Sequence, residues 1–256
     1  MGENNFSFKT IIQGFLDAFN IERGIIPTFR DLFLAPDKVI NYYIEGHRGK
    51  YFVPGRFFVT ILALLSFIAY ITGGFDPELF KSTIVNNFSD SEFSSKNEEN
   101  LLILNTTIEV FMQIFNNGAY RLPLLILPSA FISWIVFYKY RFNLAKHFVI
   151  HIYCWCFISL ILALLGLSIN QKDYFEANIA AGMKTFSFNK PWQYVLYEWS
   201  FYLTPVIYYV HALRGVFKLN GLGIITRPFF FTIISIITLY TTSVIIGVIL
   251  TIYMLS

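Results

Sequence analysis

Two histidines and a cysteine share one face of an apolar stretch, KHFVIHIYCWC, over residues 146–156. His147 and His151 are four residues apart and Cys154 follows three later, so an α-helix places all three on one face. Imidazole and thiolate are ligands that zinc accepts. The spacing therefore allows a metal site at His147, His151 and Cys154. The alternative is a pair of neutral histidines hydrogen-bonded to neighbouring helices.

Enzymatic signatures are incomplete throughout the chain. Its four histidines are too few for the histidine-rich membrane di-iron oxidases that also use HxxxH pairs. The HExxH sequence of zinc proteases is absent as well. We therefore predict a non-catalytic protein without catalytic residues or a cofactor.

The composition is that of a membrane protein. Of 256 residues, 55% are hydrophobic and 14% are charged, and the mean hydropathy is +0.56. Soluble domains average roughly a quarter charged residues, so a soluble fold of this length would need more polar surface. The net charge of +3 is small and does not indicate a nucleic-acid partner.

Five stretches are close to the ~20 apolar residues that a helix needs to cross a bilayer. We predict an all-α, polytopic membrane helix bundle over residues 55–256, with an outer loop at 74–120. The expected spans are 55–73, 121–140, 147–169, 195–213 and 228–254.

Residues 1–54 form an amphipathic, interfacial lead-in. Apolar residues recur at helical spacing over 6–20. The triplet Ile26-Pro27-Thr28 breaks the chain, and Thr28 then caps a short helix that Pro36 ends. Another short helix runs from 37 to 44 and stops at Gly46.

Lys and Arg set the orientation through the positive-inside rule. A cytoplasmic N-terminus leaves thirteen of the nineteen Lys and Arg inside and six outside, Lys81 and Lys96 among the latter. The C-terminus then lies outside.

Several polar residues interrupt the last two spans. Glu198 and His211 are about 20 Å apart along a helix at 1.5 Å per residue, so they lie near opposite membrane faces. Pro205 allows a kink between them. The stripe of Ser235, Thr238 and Thr242 on the fifth span is typical of a helix-packing seam.

Basic and imidazole side chains gather at the inner membrane face in this topology. Such groups suit an anionic head group, although ordinary positive-inside anchoring explains the same pattern. The predicted head-group ligands are Arg48, Lys50, Arg56, His147, His151, His211 and Arg214.

The N-terminal run FNIERGIIPTFRDLFLAPDKVINYYIEGHRGKYFVPGRFF resembles the DUF3667 family of bacterial membrane proteins. A second similarity lies in FNLAKHFVIHIY at 142–153. The chain lacks the N-terminal Cys-x-x-Cys ribbon that many members carry, and Lys146 stands where Glu is usual. The resemblance implies a multi-pass inner-membrane protein of the Bacteroidota type and implies no activity. The matching positions in the N-terminal run are Pro36, Ile40, Tyr43, Ile44, Gly46, Arg48, Tyr51 and Pro54.

Two functions remain open from sequence. The first is a non-catalytic module that binds membrane lipid, a protein partner or a second copy of the chain at the basic inner rim. The second is a small channel or transporter with a polar path between spans three to five.

Overall fold

The computed structural model describes residues 24–47, 49–72, 118–170, 173–174, 177, 190–221, 223, 226–235 and 237. Within these ranges the fold is all-α, as predicted, and contains no strand. The elements are α1 (Ile25–Leu34), α2 (Pro36–Ile44), α3 (Pro54–Ile71), α4 (Gly118–Val136), a 3-10 helix (Tyr138–Tyr140), α5 (Leu144–Gly166) and α6 (Trp192–Val216). Residues 226–235 are also helical.

The lead-in begins differently from the prediction. Pro27 lies in the first turn of α1 and does not break the chain, because an N–H at that place would have no helical partner. Gly24 is the N-cap, so the prediction that Thr28 caps the helix is wrong. Thr28 lies inside α1, where its hydroxyl donates to the Gly24 carbonyl at 2.5 Å.

The two short helices pack onto the bundle. Leu32 of α1 and Val39 and Ile40 of α2 are fully buried. The Tyr208 hydroxyl of α6 donates to the Leu32 carbonyl at 3.1 Å. The described part of the lead-in is therefore held against the other helices by apolar burial and hydrogen bonding.

Helix α5 is the centre of the structure and contacts α1, α2, α3, α4 and α6. Every residue from 153 to 160 is buried, as expected for a helix surrounded on all sides. It starts at Leu144, three residues before the predicted span, because the Asn143 side chain accepts a hydrogen bond from the Lys146 amide and caps the first turn.

A tight turn joins α4 to α5. Helix α4 tolerates two internal prolines, Pro123 and Pro128, and ends at Val136. The 3-10 helix follows, and Arg141 then takes a left-handed conformation at φ 56°. Lys218, just after α6, also has a positive φ of 48°. Both turns therefore place a basic residue where glycine is normally favoured.

Two of the described helices, α3 and α5, are long and apolar enough to cross a membrane. A shorter apolar helix covers Leu122–Val136. The predicted helix at 6–20, almost all of the loop at 74–120, and Thr238 and Thr242 of the fifth span lie outside the described residues.

Candidate functional site

Phe217, just past the end of α6, contacts aromatic residues near the ends of several helices. Its ring stacks on Phe137 with centroids 4.3 Å apart, and it also contacts Tyr140, Phe142 and His147. These residues lie just after α4, in the 3-10 helix, just before α5 and in the first turn of α5. Arg227 adds the last helical segment by donating to the Tyr140 hydroxyl at 3.0 Å.

The entry to α3 lies close to the same place. The Tyr153 hydroxyl of α5 donates to the Phe52 carbonyl at 2.5 Å, and its ring packs 5.5 Å from that of Phe57. Helix α2 approaches the last turn of α6 at Gly215. The sequence-based argument about direction of travel expects these helix ends on one side of the bundle.

We call this region the basic end. Segments 24–56, 137–146 and 211–227 contain eleven Lys and Arg against three acidic residues. Most of the described cations there are exposed, and Lys146 is half-buried. The basic end consists of Arg30, Lys38, Lys50, Arg56, Lys139, Arg141, Lys146, Arg214, Lys218 and Arg227, and the predicted ligand Arg48 lies outside the described residues.

One carboxylate neutralises part of this charge. Asp31 accepts hydrogen bonds from Arg30 Nε at 2.8 Å and from the Tyr51 hydroxyl at 2.7 Å, and Lys50 Nζ lies 3.9 Å away. The bonds from Arg30 and Tyr51 hold the pKa of Asp31 below its ordinary value. Burial of the Tyr51 phenol raises the pKa of that group. Asp31 therefore links α1 by a hydrogen bond to Tyr51, in the segment that leads into α3.

His147 and His151 lie in the interior of the helix bundle. Both are fully buried. Ser133 of α4 bridges them, because its Oγ lies 2.7 Å from His147 Nδ1 and 2.7 Å from His151 Nε2. The other His151 nitrogen, Nδ1, is 2.8 Å from the Tyr209 hydroxyl of α6. We call these four residues the histidine chain.

This arrangement matches the hydrogen-bonded alternative rather than the metal site. Three of the four imidazole nitrogens are engaged by hydroxyl groups on neighbouring helices. Among the described residues, no group of three or more His, Cys, Asp or Glu side chains could hold a metal ion. Cys154 is a buried free thiol.

The remaining predicted site residues differ from His147 and His151 in being exposed. His211 is exposed and its Nε2 lies 3.2 Å from the Leu34 carbonyl, so it contacts α1. Arg56 and Arg214 are exposed and Lys50 is 54% exposed at its side chain. These four residues are accessible from the surface, whereas the two buried histidines present no exposed nitrogen.

Sequence reasoning missed Ser133, Tyr209 and a buried ion pair. Ser129 and Ser133 are four residues apart on α4, and that spacing was the available signal for a polar seam facing α5. Trp155 Nε1 donates to the Ser129 hydroxyl at 2.8 Å. The ion pair joins Lys190 Nζ to Glu198 Oε1 at 2.5 Å, with both side chains buried. Glu198 therefore has a cationic partner that the sequence did not reveal.

The fold and site together define an all-α protein with at least two helices suited to a membrane and a concentration of positive charge at one end. Residues 22–66 match the family described as "Protein of unknown function (DUF3667)", which confirms the family resemblance of the N-terminal run. The match covers α1, α2 and most of α3. No curated protein and no solved structure matches the chain.

Proposed function

We propose that the chain is a multi-pass protein of a bacterial inner membrane, with five spans and a cytoplasmic N-terminus. The supporting observation is the large apolar surface of the helices. Large hydrophobic side chains are exposed along α3, α4 and α6, including Val59, Phe67, Phe131, Leu203 and Ile207. Soluble monomers rarely expose apolar patches larger than a few hundred Å². A surrounding bilayer would cover these side chains.

Single-cysteine reporters test the orientation. Ser168 follows α5 and Lys218 follows α6, and both are exposed. With the buried Cys154 and Cys156 replaced by alanine, Ser168→Cys should react with an impermeant maleimide in spheroplasts. Lys218→Cys should react only after permeabilisation. Labelling of Lys218→Cys from the outside would reverse the proposed topology.

We further propose that the basic end binds the phosphate of anionic phospholipids, as a non-catalytic module. The observation that carries this proposal is the aromatic cluster around Phe217, which joins the turn between α4 and α5 to the end of α6. Both of these segments carry exposed cations. Guanidinium and ammonium groups form charge-assisted hydrogen bonds with phosphate. Each Lys or Arg near an anionic membrane surface contributes about 1 kcal/mol.

Titration of fluorescent phosphatidylglycerol against the purified protein in neutral detergent tests the binding. The triple variant Lys139→Gln/Lys146→Gln/Arg214→Gln should bind about 100-fold more weakly, from roughly 1 kcal/mol per cation. Raising salt should weaken binding to the wild type. Lys81→Gln/Lys96→Gln/Lys184→Gln, on the predicted outer side, removes the same number of positive charges and should bind as the wild type does.

Two results would contradict lipid binding. One is equal affinity of the wild type for phosphatidylglycerol and phosphatidylcholine. The other is unchanged affinity in the triple variant. A protein partner or a second copy of the chain would then be the better occupant, and cross-linking at Lys139 in intact membranes would reveal it.

The second candidate function, a small channel or transporter, is favoured by a separate observation. The histidine chain puts polar groups inside the bundle, and Phe231 packs against both His151 and Tyr209. Thr232 and Ser235, on the same helical segment, are buried as well. Flux of ions or protons into proteoliposomes above that of empty vesicles would support this candidate, and its absence would remove it.

A further inference from the structure

The histidine chain contains groups that can each give and accept a proton. A neutral imidazole has one donor and one acceptor nitrogen, and a hydroxyl can do both. The contacts run from Tyr209 Oη to His151 Nδ1, from His151 Nε2 to Ser133 Oγ, and from Ser133 Oγ to His147 Nδ1, all at 2.7–2.8 Å. Each imidazole is thus part of one continuous series of hydrogen bonds from Tyr209 to His147.

The single proton of Ser133 decides between two kinds of arrangement. If Ser133 donates to the Ala130 carbonyl, both imidazoles must donate to its oxygen, and the two rings are then opposite tautomers. If Ser133 donates to either imidazole, all the bonds point in one direction. Both rings are then the same tautomer, either Nδ1–H or Nε2–H.

The distances favour the directional arrangement. Ser133 Oγ is 3.1 Å from the Ala130 carbonyl but 2.7 Å from each imidazole. Hydroxyl donors usually lie 2.5–3.0 Å from an oxygen acceptor, so the carbonyl is a poor partner. These distances favour donation by Ser133 to one of the two imidazoles, with the other imidazole as its donor.

The histidine chain ends, opposite Tyr209, at a ring nitrogen that has no hydrogen bond among the described residues. His147 Nε2 is buried and has no hydrogen-bond partner among the described residues. Leaving a buried polar atom unpaired is energetically unfavourable. The neighbouring rings, Phe142 and Phe217, belong to the aromatic cluster beside the basic end, so His147 is the member of the histidine chain nearest to that cluster.

We propose that the histidine chain relays protons between His147 Nε2 and the Tyr209 hydroxyl. A hydronium ion donates its proton to the lone pair of His147 Nε2, and His147 Nδ1 passes its own proton to Ser133 Oγ. Ser133 gives its former proton to His151 Nε2, and His151 Nδ1 gives one to Tyr209 Oη. The original phenolic proton leaves to a water molecule, so one proton enters and one leaves.

The transfer reverses every bond of the chain and converts both rings from Nδ1–H to Nε2–H. None of the four residues of the histidine chain carries a net charge afterwards. This role is independent of head-group binding at the basic end. It extends the second candidate function by naming the proton as the species that the interior polar groups handle.

The neighbouring hydrogen bond between Trp155 and Ser129 supplies a structural comparison. It joins the same two helices, one helical turn further along. The indole N–H is a donor only and cannot accept a proton. Ser129→Ala therefore removes an inter-helix hydrogen bond of similar geometry without touching the relay.

Nitrogen-15 NMR of the full chain in lipid nanodiscs tests the proposal directly. His47→Gln/His211→Gln removes the two exposed histidines, so ring-labelled histidine then reports only His147 and His151. Because the ring shifts distinguish the Nδ1–H and Nε2–H tautomers, the relay predicts the same tautomer, or the same mixture, at both rings. Opposite tautomers at the two positions would overturn the proposal.

A variant at the end of the relay tests the coupling. Tyr209→Phe takes away the partner of His151 Nδ1, so the tautomer population should shift at His151 and, through Ser133, at His147 too. Ser129→Ala should shift neither. A change confined to His151 in Tyr209→Phe would show that the rings are uncoupled and would refute the relay.

Discussion

Gly215 of α6 lies directly against the side chain of Asp37 of α2. A Cβ built on Gly215 would be 2.5 Å from Asp37 Oδ2 and closer still to its Cβ and Cγ. The helices approach so closely here that only a residue without a side chain fits. Glycine is therefore needed at this position for packing, and its φ is ordinary for a helix.

We predict that Gly215→Ala destabilises the protein by about 1–3 kcal/mol, as overpacking usually does. The reason is that α2 must move away from α6 to accommodate the methyl group. Thermal unfolding in detergent measures the loss. Gly55→Ala is the matched control, because nothing lies within 4 Å of a Cβ there. Equal stability of the two variants would contradict the close packing.

Thr28 tests the attachment of the lead-in to the bundle. Its hydroxyl accepts a hydrogen bond from the Phe52 amide at 2.8 Å. Thr28→Val keeps the shape but leaves that buried amide unpaired, so we expect a loss of about 1–3 kcal/mol. Denaturant unfolding in micelles measures it. Thr72→Val, whose hydroxyl is exposed and bonds only to its own helix, should cost much less.

Asp31 gives a pH dependence with a defined sign. Its pKa is lower in the folded protein than in the unfolded chain, so its contribution to stability is full above its ordinary pKa of 3.8 and is lost as pH falls through the lower, folded value. The wild type should therefore lose melting temperature on acidification below about pH 4. Asp31→Asn should be less stable at neutral pH and should lose less on acidification.

A melting temperature of Asp31→Asn that falls as steeply as that of the wild type in this range would assign the acid sensitivity to other carboxylates. Asp37→Asn is the matched acidic control within the lead-in. It should retain the wild-type slope, since Asp31 remains in place.

The buried pair of Lys190 and Glu198 predicts an asymmetric response to mutation. Glu198→Gln leaves the buried ammonium without its carboxylate, and breaking a buried pair typically costs about 3–5 kcal/mol. Lys190→Met/Glu198→Leu removes both charges and should cost less. Thermal unfolding of both variants tests this prediction, and a double variant less stable than Glu198→Gln would contradict it.

Sequence reasoning predicted the described helices well where apolar runs have sharp ends. Helix α3 starts one residue before the predicted span, because Pro54 follows a polar segment and suits the first helical position, and it ends at Ile71, two residues before the predicted end. Helix α5 begins early because capping by Asn143 allows Lys146 to lie inside the first turn. A charged residue near a membrane surface does not itself end a helix, and for that reason the predicted boundary was late.

The site was predictable in part. The expected grouping of helix ends follows from alternating direction and requires no knowledge of how the helices pack. The burial of His147 and His151 could not, because it depends on which helix faces them, and a helical repeat does not identify its neighbour. Ser133 and Tyr209 are far away in sequence and acquire their roles only through packing. Lys190 likewise gains a partner only when the chain folds back onto α6.

The left-handed conformations of Arg141 and Lys218 imply a compromise between positive charge and the stability of the folded protein. A non-glycine residue in this conformation costs roughly 1–2 kcal/mol, and both residues are cations of the basic end. Replacing Arg141 by glycine should therefore raise the melting temperature while removing one positive charge from the basic end. If head groups bind there, the Arg141→Gly variant should bind phosphatidylglycerol less tightly than the wild type does.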